Sequence, residues 1–411
     1  MPEEKTTYEA TETIDYEATE TIDSEATETI EIVEATEQNE GKLSSFLKEK
    51  EVKKMGIFLH DSPDPDAMAC GLALGAIADK YGIKFNIYYG GEVTYTKNKA
   101  MIQILSINMI KIEDLKEDRE LMVSHREFFE GAVIAVVDTC SWRTGNCRGP
   151  GFIFGRDEDQ NIIPNIVIDH HGQSPIGNDI IINRNYGSCS TIMIELLQQE
   201  EIVPDKVLAT ALYYGLMSDT DDMNRLEITK EQDYKAQEIL KCLIDFQYYL
   251  RIVNCKKPKI SMKLEGLAKN VYLRESGNCT VSGIGFIKTG HAGAVSEIAD
   301  NILSTYQEVE NVIVIGITDE GFGKEKRIRA SLRNSGDVLD SDDFMKKIFG
   351  KKCAGGRKGV AAANKPVDDV MSEIIDMSTQ ADDPEKELGK VFRQIFDAYT
   401  EKIINKIDVS I

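Results

Sequence analysis

KKMGIFLHDSPDPDAMACGLALGAIADKYG, residues 53–82, decides the fold. Lys53–His60 is a short apolar run ending in polar groups, the pattern of a strand buried in a parallel sheet. Ala67–Gly82 reads as a helix with a glycine after its last turn. Outward from this stretch the alternation continues. FNIYYG (85–90), AVIAVVD (132–138) and NIVIDHH (165–171) read as strands, and SCSTIMIELLQQEE (188–201) and KVLATALYYGLMSDT (206–220) as helices. Strands alternating with helices predict an α/β fold: a parallel sheet with helices on both faces, and ligands at the carboxyl ends of its strands.

The pattern breaks near Gln247–Lys259. VSGIGFIK (281–288), a helix over His291–Tyr306, NVIVIGIT (311–318), RIRASLRN (327–334), DDFMKKIFG (342–350) and GGRKGVAAAN (355–364) make a second, smaller α/β unit. Near the end, Val391, Phe392, Ile395, Phe396, Tyr399, Ile403 and Ile404 follow helical spacing, and core or partner packing is the preferred reading. The expected organisation is a tail over 1–42, a catalytic domain over 43–246, a linker over 247–264, a second domain over 265–366 and a helical extension over 367–411.

Composition narrows the classes. Of 411 residues, 42% are hydrophobic and 29% charged, enough apolar material for sizeable cores. No run of apolar residues is long enough to span a membrane, and the N-terminus has no basic-then-apolar secretory pattern. Eight cysteines without CxxC spacing read as reduced thiols, so a cytoplasmic protein is expected. The net charge of −22 is uneven. Residues 1–41 carry 14 acids against Lys5 alone, within a repeat of period eight (YEATETID, YEATETID, SEATETIE) that reads as a disordered acidic tail. The other 370 residues hold 56 acids and 47 bases, which argues against a coat for long duplex DNA and leaves room for a locally basic pocket.

Chemistry-bearing residues collect at four element ends. HDSPDPD gives His60, Asp64 and Asp66; VVDTCS gives Asp138; VIDHH gives Asp169, His170 and His171; GLMSDTDD gives Asp219, Asp221 and Asp222. Three of the chain's five histidines fall in these motifs. One acid at a strand end is ordinarily a cap; four clusters at consecutive ends are hard to explain so. Carboxylates converging on one cleft repel unless cations neutralise them. Carboxylate and imidazole without thiolate suit manganese, magnesium, iron or cobalt better than structural zinc. Two such ions can activate a bridging hydroxide for phosphoryl displacement.

H-x-x-x-D-x-D, an isolated strand-end Asp, D-H-H and S-D-T, in this order from about Lys53 to Lys365, resemble the DHH phosphoesterase superfamily. The resemblance implies two manganese ions, with magnesium or cobalt as substitutes. His60, Asp64 and Asp138 would hold one, and Asp66, Asp138, His170 and Asp219 the other. His171 would face the scissile phosphate, and Asp169 would orient its neighbours. Ser331, Arg333 and the glycine-basic stretch Gly355, Gly356, Arg357 and Lys358 resemble the DHH-associated substrate domain of the oligoribonuclease and RecJ-like branch. They would hold phosphate through backbone N–H groups and guanidinium. That branch has GGGGH where this chain has Ala354-Gly355-Gly356-Arg357. An arginine there holds phosphate but cannot act as a neutral imidazole.

The expected function is therefore a manganese-dependent, oligoribonuclease-like phosphoesterase acting on short single-stranded oligonucleotides, linear dinucleotides such as pApA, or 3′,5′-bisphosphonucleosides. Inorganic pyrophosphatase or exopolyphosphatase, cyclic-dinucleotide phosphodiesterase and a non-catalytic nucleic-acid or replication scaffold are the rivals. No membrane partner is expected, and a homodimer is left open. Other residues are read as follows: Lys97 and Lys99 as a solvated loop, Arg143 and Arg148 as phosphate guides or a surface turn, Trp142 as a base-stacking or core residue, His125 as exposed on a helix, and His291, between Gly290 and Gly293, as an anion contact at a helix start.

Overall fold

The computed structural model describes residues 42–139, 163–171, 179–307, 309–320, 325–335, 339–370 and 384–410. The acidic repeat and Cys140, Trp142, Arg143, Cys147 and Arg148 lie outside the described residues.

The first domain opens with α1 (Lys42–Glu49), which inserts Leu43, Phe46 and Leu47 into the core. Then come β1 (Lys54–Phe58), α2 (Pro65–Lys80), β2 (Lys84–Tyr89), α3 (Thr96–Leu105), β3 (Ile110–Lys111), α4 (Arg119–Phe129), β4 (Val133–Val137), β5 (Ile166–Asp169) and β6 (Ile180–Asn183). Helices α5 (Cys189–Gln199), α6 (Lys206–Asp219), α7 (Glu231–Leu243) and α8 (Phe246–Val253) follow. The six strands are parallel in the order β3-β2-β1-β4-β5-β6. That order reverses between β1 and β4, so their carboxyl ends splay open a crevice. α2 starts cleanly because the Asp64 carboxylate accepts from the Ala67 N–H at 3.0 Å and Pro65 sits at the first helical position. Motif residues thus leave β1, β4 and β5 where the crevice forms.

The second domain contains α9 (Lys259–Asn270), β7 (Leu273–Ser276), β8 (Cys279–Ile287), α10 (Ala294–Thr305), β9 (Asn311–Glu320), β10 (Glu325–Asn334), α11 (Ser341–Phe349), β11 (Ala354–Arg357), β12 (Val360–Pro366) and α12 (Pro384–Ser410). Its sheet runs β11-β12-β10-β9-β8-β7, antiparallel except for the β8–β9 pair.

The extension over 367–411 contributes α12, which buries Phe392, Ile395, Phe396, Tyr399, Ile403 and Ile407 in the second domain's core, the packing that its helical spacing predicts. Two expectations need correction. Residues 247–264, expected as a linker, are mostly helical: α8 and the start of α9 leave a short connection at 254–258. His125 is buried, not exposed: its Nδ1 lies 2.8 Å from the Tyr88 hydroxyl, inside a cluster with Phe58 and Phe129. Satisfying that hydroxyl is the reason for a histidine there.

Candidate metal centre

Three overlapping groups of side chains at the crevice each bring their ligand atoms within 4.8 Å of one another: His60, Asp64 and Asp138; Asp66, His170 and Asp219; and Asp138, His170 and His171. Asp138 and His170 are each shared by two groups, so neighbouring cation positions would have common ligands. The sequence-predicted metal residues therefore meet in one place.

Two of the imidazoles are each aimed by a backbone carbonyl. His60 Nδ1 lies 3.0 Å from the Asp61 carbonyl oxygen, and His170 Nδ1 lies 3.0 Å from that of Tyr186. With Nδ1 carrying the proton, Nε2 keeps its lone pair for the centre. His60 Nε2 stands 3.6 Å from Asp64 and 3.8 Å from Asp138, while His170 Nε2 stands 3.4 Å from Asp138 and 3.3 Å from Asp219. A cation between them would take these nitrogens and carboxylate oxygens as common ligands. Asp138 Oδ1, Asp169 Oδ2 and His170 Nε2 are buried without a hydrogen-bond partner among the described residues. Buried polar atoms left bare cost free energy, so the donor set fits divalent cations.

Asp66 has a second task. Its carboxylate accepts from the Cys189 N–H at 2.6 Å, the Ser190 N–H at 2.9 Å and the Ser188 hydroxyl at 3.1 Å, and so caps the start of α5. Asp169 Oδ1 accepts from the His170 N–H at 2.9 Å and holds His171 Nδ1 at 2.7 Å, directing the half-exposed His171 ring towards the cleft. Asp138 has φ +56, a left-handed backbone that a non-glycine residue adopts at a cost of roughly 1–3 kcal/mol.

Electrostatics reflect the crowding. Burial opposes charge on both His60 and His170, yet Asp64 pushes His60 up to about 9 and Asp219 pushes His170 up to about 10. Burial and the Asp219 charge push Asp66 up to about 6; burial, then the Asp66 and Asp64 charges, raise Asp138 well above the usual carboxylate range. Burial works against ionisation of Asp64, but its bond to His60 prevails and lowers it. Without cations, protons carry part of the neutralisation.

Asp221, Asp222 and Met223 are consecutive left-handed residues, φ 50, 53 and 64. This turn brings Arg225 back so that its Nη1 donates to the Asp219 carbonyl at 3.2 Å. Burial, then the charge of Arg357 from the second domain, lowers the Arg225 guanidinium below its ordinary value. The charges of two arginines from opposite domains thus act on one another near Asp219. Sequence reading missed Arg225; a basic residue three positions after Asp222 was the available signal.

The expected phosphate contacts divide. Arg333 is bonded to Asp300, to the buried Ser331 hydroxyl at 2.7 Å and to the Tyr95 hydroxyl of the first domain at 3.3 Å. The Gly356 N–H donates to Asp342 at 2.8 Å, Gly355 stands beside that same carboxylate, and both glycines lie on β11, hydrogen-bonded to β12. Arg357 and Lys358 remain exposed at the hairpin end.

A family model, the DHH family, N-terminal domain, matches residues 54–216. An uncharacterized protein of Methanocaldococcus jannaschii is 31% identical over 330 residues, 79% of this chain and 60% of the relative, so the chain spans about three-fifths of that relative's length. An exopolyphosphatase-related protein from Bacteroides fragilis shares the fold at TM-score 0.58 and 18% identity, over 88% of this chain and 97% of that one. A putative family II inorganic pyrophosphatase from Methanococcus jannaschii aligns at TM-score 0.39 and 13% identity, over 82% of this chain and 99% of that one. No helix among the described residues is long and apolar enough to cross a membrane.

Proposed function

We propose that the chain is a DHH-superfamily phosphoesterase, on the match of its residues 54–216 to the DHH family, N-terminal domain, and that it hydrolyses phosphoester bonds in short nucleotides carrying more than one phosphate, with manganese as the resident cation. The observation that carries this reading is the overlap of three ligand groups on Asp138 and His170. His60, Asp64 and Asp138 would hold one cation, and Asp66, Asp138, His170 and Asp219 the other. Bound there, the pair would supply an activated water and neutralise phosphoryl charge.

The remaining chemistry belongs to the chain. His171, steadied through Nδ1 by Asp169, presents Nε2 to a phosphoryl oxygen and stabilises the charge that develops on it. Arg225 and Arg357 take a second phosphate from opposite sides of the cleft, each as a charge-assisted contact. Arg333, already paired with Asp300, positions the two domains through Tyr95 rather than holding substrate directly.

Hydrolysis of pApA, an RNA trinucleotide, 3′-phosphoadenosine 5′-phosphate and pyrophosphate in manganese tests the reading. The nucleotides are expected to be cleaved faster than pyrophosphate, and Asp138→Ala to fall to background. Arg225→Ala is expected to raise KM about 10–100-fold, the loss of one charged hydrogen bond, with a smaller effect on kcat. Preference for pyrophosphate, or no turnover by a metal-loaded protein, would overturn it.

A further inference from the structure

A second concave site lies at the junction of the two domains. It is a cavity of about 360 Å³ walled by α3, by the connection into α9, and by the start of α10. Its lining is basic. Lys99 spends one hydrogen bond on the Gly290 carbonyl at 2.8 Å and keeps two donors, and Lys256 pairs with no carboxylate among the described residues. The acid of the lining, Glu297, is taken up by the N–H and hydroxyl of Thr96. Ser261 lines the cavity at 7% exposure, and its hydroxyl, which bonds to none of the described side chains, is open to the cavity beside the two ammonium groups. Donors gathered there favour an acceptor that arrives from outside.

Helix ends add to this. The first turns of α3, α9 and α10 open on the cavity, and none has a side-chain cap from its own N-cap residue. By contrast α2, α4, α6, α8 and α11 are each capped by an aspartate. Glu297 already accepts from the Thr96 N–H at the start of α3 and stands in the first turn of α10, which leaves the start of α9 to favour a negative guest. Ala100, Ile104, Pro258 and Ile260 give an apolar wall for an organic moiety, and the volume is at the small end for a small-molecule site.

We propose that this cavity is a regulatory site for a small phosphorylated molecule of nucleoside-monophosphate size, separate from the metal centre. Its walls come from both domains, so an occupant that fits one domain spacing better shifts the population towards it. α3 supplies the link to the metal centre: while Thr96 and Lys99 face the cavity, Asn98 donates to the Pro63 carbonyl between His60 and Asp64 at 3.5 Å.

The test titrates adenosine 5′-monophosphate and inorganic phosphate into the full chain in a chelator, by calorimetry, so that binding is read without turnover. One saturable site is expected, tighter for the nucleotide, retained in Asp138→Ala, and weakened at least tenfold in Lys256→Glu. Ser261→Val is expected to weaken it as well, with melting curves confirming that each variant folds. In the metal-loaded enzyme, saturating nucleotide is expected to change the hydrolysis rate in the wild type and not in Lys256→Glu. Absence of binding, loss of binding in Asp138→Ala, equal affinity for bare phosphate, or a rate effect that survives Lys256→Glu would each overturn the proposal. None of these bears on whether the metal centre hydrolyses nucleotides.

Discussion

At neutral pH His60 and His170 hold protons in the metal-free protein that cations must displace, and Asp66 joins them below about pH 6. The signs can be worked through. A histidine raised from its usual value to about 9 or 10 stabilises the metal-free fold fully below about 6.5, and that contribution is lost as pH climbs through 9 to 10. Asp66, raised to about 6, prefers its neutral form when folded and so penalises the fold increasingly from about pH 4 to 6. Both trends weaken the metal-free protein on the alkaline side, where cations no longer compete with protons. Melting temperatures measured with chelator and with manganese are expected to differ more at pH 9 than at pH 6; an equal gap at both would contradict this. The ligands themselves were legible in the sequence because carboxylate and imidazole cluster at element ends. What aims them was not: the Asp61 contact that orients His60 is a carbonyl, which any residue carries.

At the level of elements, α6 crosses close to the start of α2 and the start of α5. A Cβ on Gly215 would lie 3.0 Å from the Asp66 Cα and 2.7 Å from the Ser190 hydroxyl. Gly215→Ala gains about 1 kcal/mol of helix propensity but drives into the backbone that carries a proposed ligand, an overpacking cost of about 1–3 kcal/mol. The variant is expected to stay folded and to need more manganese for half-maximal activity; unchanged metal demand would show that α2 yields freely. Strand and helix periodicity located β1, α2, β2, β4, β5, α5, α6, β8, α10, β9, β10 and α11 to within a few residues, and did not find α3, β3, β6, α7 or β7. It failed over 247–264, where polar NCKKPK masks the flanking helices, and at His125, whose buried partner Tyr88 is far off in sequence.

For the whole molecule, the domains meet where Thr94–Lys99 receives α10. A Cβ on Gly293 would come within 2.9 Å of the Tyr95 nitrogen, and Arg333 reaches Tyr95 from β10. Gly293→Val is expected to push the domains apart, raising the radius of gyration in small-angle scattering and increasing KM; an unchanged radius would mean that local shifts absorb the side chain. Nothing in the sequence reveals this junction, because the anion-contact reading of His291 and Gly293 rests on neighbours in the chain and the contact is with a distant loop. The sheet order β3-β2-β1-β4-β5-β6 has a further consequence, for biogenesis. Met55 of β1 pairs with Val133 of β4, so β1 leaves the ribosome with one flank bare until β4 has also emerged. At synthesis rates of about 5–20 residues per second, that interval lasts several seconds, ample for a chaperone to bind. The strand that launches the first metal ligands is thus the one most exposed to misassembly in the nascent chain.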